Sequence, residues 1–322
     1  MDLSELLDPR VLVVTGKGGV GKTSVAAALA VAGARSGRRT CLVEVEGRQS
    51  LSRLFATQPW DFTEREFRPG MFGLSIDPEA SLREYLDMFY GARRLSRIVT
   101  SSSAVEFATS AAPGIKDVLL IGKVKEMERR RRPDGRFVYD LIVVDAPPTG
   151  RIVNFLRAPD ATTELVNVGP VRQQAESVIE MLVDPARTHL QLVTLLEEMP
   201  VQETVESVAA LHDLGVTVGP VVVNRVLEER LDQPARKALA ELGADDLRGL
   251  LAGAGLPVDV DAAAALLDVG DAHLRRLELQ ERMRADLSDR VGLPLLELPY
   301  LWGERFGLAE VERLADVVEA AL

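Results

Sequence analysis

Short apolar runs alternate along this chain with stretches of helical period, and that alternation predicts a parallel sheet wrapped by helices. Val11 to Thr15 reads as a first buried strand, and Lys22 to Ser36 as the helix behind it. The pair Gly37-Arg38 then turns the chain into a second strand, Thr40 to Val45. Phe72 to Ile76, Leu141 to Val144, His189 to Leu195, Val218 to Val223 and Leu295 to Leu298 complete the set, each bounded by polar or Gly/Pro residues. These runs are apolar at nearly every position, the pattern of strands covered on both faces. From Leu308 to Leu322 the chain reads as an amphipathic helix that packs back on the sheet. The predicted fold class is therefore α/β.

Two stretches interrupt the alternation. Residues 81–132 and 227–290 are rich in Ala, Leu, Glu and Arg and carry no convincing strand. They are expected to be helical insertions in one domain spanning residues 1–322.

The segment Gly16, Lys17, Gly18, Gly19, Val20, Gly21, Lys22, Thr23 fits the G-x-x-x-x-G-K-[ST] pattern. An apolar strand precedes it and a helix follows it, which is the context a phosphate loop needs. Glycines let successive backbone N–H groups approach phosphates without an intervening Cβ, and the helix adds its N-terminal partial charge. Lys22 is placed to contact the β- and γ-phosphates, and the Thr23 hydroxyl to complete a Mg²⁺ shell. The fold class sharpens to a P-loop NTPase, with ATP and Mg²⁺ as expected cofactors. Lys17 is a second lysine just after the first glycine, the deviant form of this loop found in ATPases that dimerise face to face; there it reaches the partner's nucleotide.

Two acidic strand ends complete the candidate site. Leu141 to Val144 runs into Asp145, and a carboxylate at the carboxyl end of a strand lies where open α/β sheets bind ligands. It is expected to hold Mg²⁺ through a water. The Ala-Pro-Pro-Thr-Gly that follows is stiff and then hinged at Gly150, suiting it to sense the γ-phosphate. In the second strand Glu44 and Glu46 share a face by the two-residue period. Glu46 ends that strand near the loop, where it can orient a water for attack.

Bulk properties narrow the reading. A formal net charge of −11 argues against broad nucleic-acid binding. The single cysteine, Cys41, excludes an intrachain disulfide framework and reads as a buried small apolar residue. The longest apolar run, Val25 to Ala34, is far short of the roughly 20 residues that span a bilayer, and the N-terminus has no apolar core of signal-peptide length. A cytoplasmic protein without direct membrane insertion is expected. His189, His212 and His273 lack ligand spacing and read as structural. Glu84 to Tyr90 gathers aromatic and Met residues on a predicted helix, read as a core or interface stripe. The run Arg129 to Arg132 suits a helix end and reads as a solvated cap.

Several segments together resemble the ArsA family of arsenite-pump and tail-anchored-protein-targeting ATPases. GKGGVGKT is similar to its deviant Walker A loop, DAPPTGR to its switch II, and VEVEGRQSLSRLF to its switch I, with Leu51, Ser52 and Phe55 in register. Pro113 to Glu126 resembles the PGIDEA helix of that family. The resemblance implies that Asp145 is the Mg-associated aspartate and Glu46 the catalytic carboxylate. It also implies that Glu203 contacts the nucleoside, that Asn224 recognises adenine, and that Pro299 and Tyr300 form the adenine-side loop. Switch I departs from the family by Glu46-Gly47 in place of aspartate-proline, and switch II by Arg151 in place of histidine. Neither the metalloid cysteines nor the zinc-binding Cys-x-x-Cys of the family is present. Segments such as LVEVEGRQ and TLLEEMPVQET resemble a bacterial anion-transporting-ATPase-like subgroup that works as a pair. A homodimer or a heterodimer with a related ATPase, and a protein client, are what this implies. The alternative is a nucleotide-controlled binding module with negligible hydrolysis.

Overall fold

The computed structural model describes residues 2–45, 47–77, 79–81, 83–84, 115–162 and 170–322. Eight strands form one sheet: β1 (Val11–Gly16), β2 (Thr40–Val45), β3 (Arg65–Arg68), β4 (Met71–Ile76), β5 (Leu141–Asp145), β6 (Thr188–Thr194), β7 (Val221–Val226) and β8 (Leu295–Pro299). Their order across the sheet is β3-β4-β2-β5-β1-β6-β7-β8, and every pairing is parallel except β3 with β4. The helices are α1 (Lys22–Arg35), α2 (Ser50–Leu54), α3 (Ile115–Arg129), α4 (Thr149–Thr162), α5 (Pro170–Val183), α6 (Glu198–Asp213), α7 (Gln233–Glu241), α8 (Ala244–Gly253), α9 (Val260–Val291) and α10 (Leu308–Ala321).

Alternate residues of the central strands feed two cores, as the two-residue period requires. Leu12, Val14, Leu42, Leu141 and Val143 pack with α1 and α10 on one face. Val11, Val13, Val43, Ile142 and Val144 pack with α3, α4 and α5 on the other. Burial on both faces explains why these strands lack polar alternation. Helix α1 is rich in Ala and Val, eight of its 14 residues, small enough to lie close to the sheet while α10 covers its outer side. The terminal helix therefore packs on α1 rather than on the strands alone.

Two strands differ from the sequence expectation. The seventh strand is Val221–Val226, and Val218 makes only an isolated bridge to Leu190. Pro220 interrupts the earlier stretch, since proline cannot donate to a ladder. The charged strand β3 was not expected, because Arg65, Glu66 and Arg68 carry none of the apolar signal of a covered strand; it is an antiparallel edge. Residues 233–291 are three helices, and α7 and α8 contain no buried residue. Helix α9 runs 32 residues, about 48 Å. Its C-terminal part is seated on the sheet through Leu287, which packs with Val221 and Val223 of β7. Residues 85–90 of the aromatic stripe, and Pro113 and Gly114, lie outside the described residues.

Candidate nucleotide site

At the carboxyl edge of the sheet, β1 and α1 are joined by residues 17–21. Gly16 has φ 148°, and a Cβ there would collide with the carbonyl oxygen of Val193 on β6. Gly21, at the N-terminus of α1, has φ 93°, and a Cβ there would meet the amide of Asn224. Packing therefore fixes the two ends of the loop as glycine. Gly18 and Gly19 face open space instead. Among the described residues, no group of the chain accepts from the amides of Gly18, Gly19, Val20 or Gly21. An undonated run of amides at a helix N-terminus is a cradle for an anion.

The side chains around the loop are few and chemically distinct. The Thr23 hydroxyl donates to Asp145 Oδ2 at 2.7 Å, joining the start of α1 to the end of β5. Lys22 Nζ donates to the Lys17 carbonyl oxygen at 2.8 Å, folding its ammonium back over the loop. Burial raises Asp145 to about 6, with the Glu44 charge adding to the rise, while the Thr23 bond and the Lys22 charge oppose it. Burial likewise lowers Lys22, opposed by Asp145. A partly desolvated ammonium and a reluctant carboxylate both gain when a polyphosphate and a hard cation arrive together. The hydroxyl and carboxylate oxygens of Thr23 and Asp145 are the donor types Mg²⁺ takes, so these residues fit a Mg-nucleotide.

Lys17 Nζ donates to Glu203 Oε1 of α6 at 2.5 Å. Two residues that the sequence assigns to separate tasks thus form one ion pair within the chain. Asn224 is 5 % exposed; its Nδ2 donates to the Val20 carbonyl at 2.9 Å and its Oδ1 accepts from the Arg225 amide. It lies inside β7 and props the underside of the loop. Pro299 ends β8, and the Tyr300 amide donates to Val226 at 2.7 Å, two residues beyond Asn224. Glu46 lies outside the described residues. Cys41 is buried in β2, where burial pushes its thiol up. His189 sits in β6 with its ring bonded to the Pro185 carbonyl.

Several residues of the site carried little signal in the sequence. Thr15 donates to the Pro147 carbonyl at 2.7 Å and lies beside the Thr149 hydroxyl, tying the end of β1 to the proline segment after Asp145. A threonine closing an otherwise apolar strand was its only mark. Gln280 of α9 accepts from Leu227 and donates to the carbonyl of Arg225, whose φ is 57°. Helix α9 thereby holds the turn that follows Asn224. Tyr300 and Trp302 form an exposed aromatic pair, centroids 4.6 Å apart. Below the proline segment is an apolar cavity of about 40 Å³ lined by Val45, Val144, Pro147, Arg151, Ile152 and Met181.

The profile of the anion-transporting ATPase family, ArsA, matches residues 9–175 and 163–244. ATPase BagA of Mycobacterium tuberculosis is 43% identical over 303 residues, covering 92% of this chain and 88% of that protein. An arsenical pump-driving ATPase of Escherichia coli is 28% identical over 304 residues, covering 87% of this chain and 51% of the relative. The strand–glycine loop–helix edge and these matches lead to one statement: the chain belongs to the ArsA family of anion-transporting ATPases.

Proposed function

We propose that this chain is a Mg²⁺-dependent ATP hydrolase whose nucleotide state governs its pairing with a second subunit and its hold on a protein client. The observation that carries the reading is the join of Thr23 to Asp145 beside a glycine loop whose amides are unspent. The amides of residues 18–21 and the Lys22 ammonium receive the phosphates. Thr23 and Asp145 hold Mg²⁺, Asp145 through a water. The metal, when bound, neutralises charge on the β- and γ-phosphate oxygens. Asn224, Pro299 and Tyr300 line the adenine end. Glu46 orients the attacking water.

Lys17 is the residue that senses a partner. Its present bond to Glu203 is half-exposed, and such pairs exchange readily because each is worth only about 0–1 kcal/mol. A triphosphate presented by a second subunit competes for the ammonium, and Glu203 is then released to the nucleoside. That subunit is a second copy or a related ATPase.

The test is Mg-dependent ATP turnover by the purified chain and by Glu46→Gln, with the mass and composition of the native complex recorded with and without ATP. Turnover lost in Glu46→Gln and in EDTA, with an ATP-dependent rise in mass, supports the reading. Tight Mg-ATP binding without turnover in any assembly would make the chain a nucleotide-controlled binding module.

A further inference from the structure

Glu44 is 1 % exposed, and no step proposed above uses it. It lies on β2 directly beside Asp145 of β5, the two residues being register partners. Its carboxylate is shielded from solvent. Oε2 accepts from the amide of Gln49 at 2.8 Å, and Oε1 accepts from Ser50 at 2.6 Å and Leu51 at 3.2 Å. Three consecutive amides at the start of α2 thus close on one buried anion.

The consequence falls on the residues between. Glu44 and Gln49 bracket positions 45–48 of the chain, so the clamp joins the two ends of the segment in which the sequence places the proposed catalytic carboxylate. Gln49 sits at φ 57°, a left-handed conformation that non-glycine residues adopt only when their surroundings impose it. Charge-assisted bonds to a buried carboxylate are strong enough to impose it. The other side of the loop is strapped as well. Gln49 Nε2 donates to the Trp60 carbonyl at 2.7 Å, and the Trp60 amide donates to Gln49 Oε1 at 2.9 Å. Trp60 is buried against Phe55 and Phe67. The segment begins beside the phosphate site, since Glu44 is the register partner of Asp145, whose carboxylate accepts from Thr23.

We propose that Glu44 is a positioning residue for ATP hydrolysis: its clamp on the amides of residues 49–51 fixes the loop that carries Glu46. A loop set to orient one water needs its backbone held, because small misplacements of a reacting group cost roughly a hundredfold in rate. The groups proposed to hold the nucleotide, residues 18–23, Asp145, Asn224, Pro299 and Tyr300, make no hydrogen bond to Glu44 among the described residues. The proposal rests on the ATPase reading above.

The experiment compares wild type with Glu44→Gln, which keeps the shape and removes the charge. Three quantities are read: kcat at saturating Mg-ATP, the dissociation constant for Mg-ADP, and hydrogen–deuterium exchange of a peptide covering residues 47–55. The expected result is a kcat lowered about tenfold or more, Mg-ADP affinity within about threefold, and faster exchange in that peptide. A folded Glu44→Gln protein with kcat within about twofold of wild type overturns the proposal, as does an affinity loss equal to the loss in kcat. Should Glu44→Gln fail to fold, Glu44→Asp, which keeps the charge on a shorter arm, is read by the same criteria; if neither folds, the residue serves folding and the proposal falls. An inactive wild type would defeat the ATPase reading as well, whereas an active wild type with an unaffected Glu44→Gln defeats this proposal alone.

Discussion

Two connections at the same edge of the sheet invite comparison. Residues 17–21 lead from β1 into α1, and residues 46–49 lead from β2 into α2. Each enters its helix through a left-handed residue, Gly21 at φ 93° and Gln49 at φ 57°, and neither helix has a side-chain cap from that residue. Helix N-termini leave amides without partners, and the two connections meet that need in opposite ways. In the second, the chain supplies its own anion, Glu44, and the amides of residues 49–51 are already occupied. In the first, glycines keep side chains out, and the amides remain for an anion from outside. An amide cluster filled from within becomes a structural clamp, and one left open becomes a ligand site.

Substitutions can break that contrast, beginning with the largest effect. Gly16→Ala drives a Cβ into the Val193 carbonyl, a backbone atom that cannot rotate away. It is expected to lower stability by about 2 kcal/mol or more and to abolish Mg-nucleotide binding, as read by thermal melts with and without Mg-ADP. Gly21→Ala meets the side chain of Asn224, which can move, so a smaller loss is expected: about 1–2 kcal/mol for the left-handed backbone, with nucleotide affinity weakened rather than abolished.

The open site should also depend on pH. Asp145 is held at about 6, so its proton affinity exceeds that of a free carboxylate. As pH falls through about 6, protonation competes with Mg²⁺, and Mg-dependent nucleotide affinity should drop. The sign for folding is the opposite in the metal-free protein. A carboxyl raised in the folded state carries a penalty fully present above its folded value, which is relieved as pH falls below it. Titrating Mg-ADP between pH 5 and pH 8 in wild type and Asp145→Asn checks this; the variant's affinity should be weaker and flatter with pH. The smallest effect is expected at Glu203→Gln. Its pair with Lys17 is half-exposed, so stability should change by less than about 1 kcal/mol in a denaturant melt of the free chain.

How much of this was legible follows from what each segment buries. The central strands announced themselves because both faces are covered, leaving Val11 to Val14 and Leu141 to Val144 apolar at every position. Gly16, Lys22, Thr23 and Asp145 were legible because phosphate and magnesium chemistry restricts residue type and spacing. Strand β3 was not, since an edge strand made of Arg, Glu, Phe and Arg has no fully buried position. Glu44 was visible only as a partner of Glu46 on one face. Its task depends on the left-handed turn at Gln49, which no local pattern encodes. Pairing of Lys17 with Glu203 joins residues 186 positions apart, a distance over which sequence spacing is silent.

The central claim is that the amides of residues 18–21 and the ammonium of Lys22 receive the phosphates of a Mg-nucleotide. Its most direct test is calorimetric titration of Mg-ADP into wild type and Lys22→Ala, with folding of both verified by thermal melts. The account predicts saturable binding by wild type at one nucleotide per chain, weakened about a hundredfold or more by removing the charge. Equal affinity in the two proteins, or no binding to wild type at millimolar nucleotide, would contradict it.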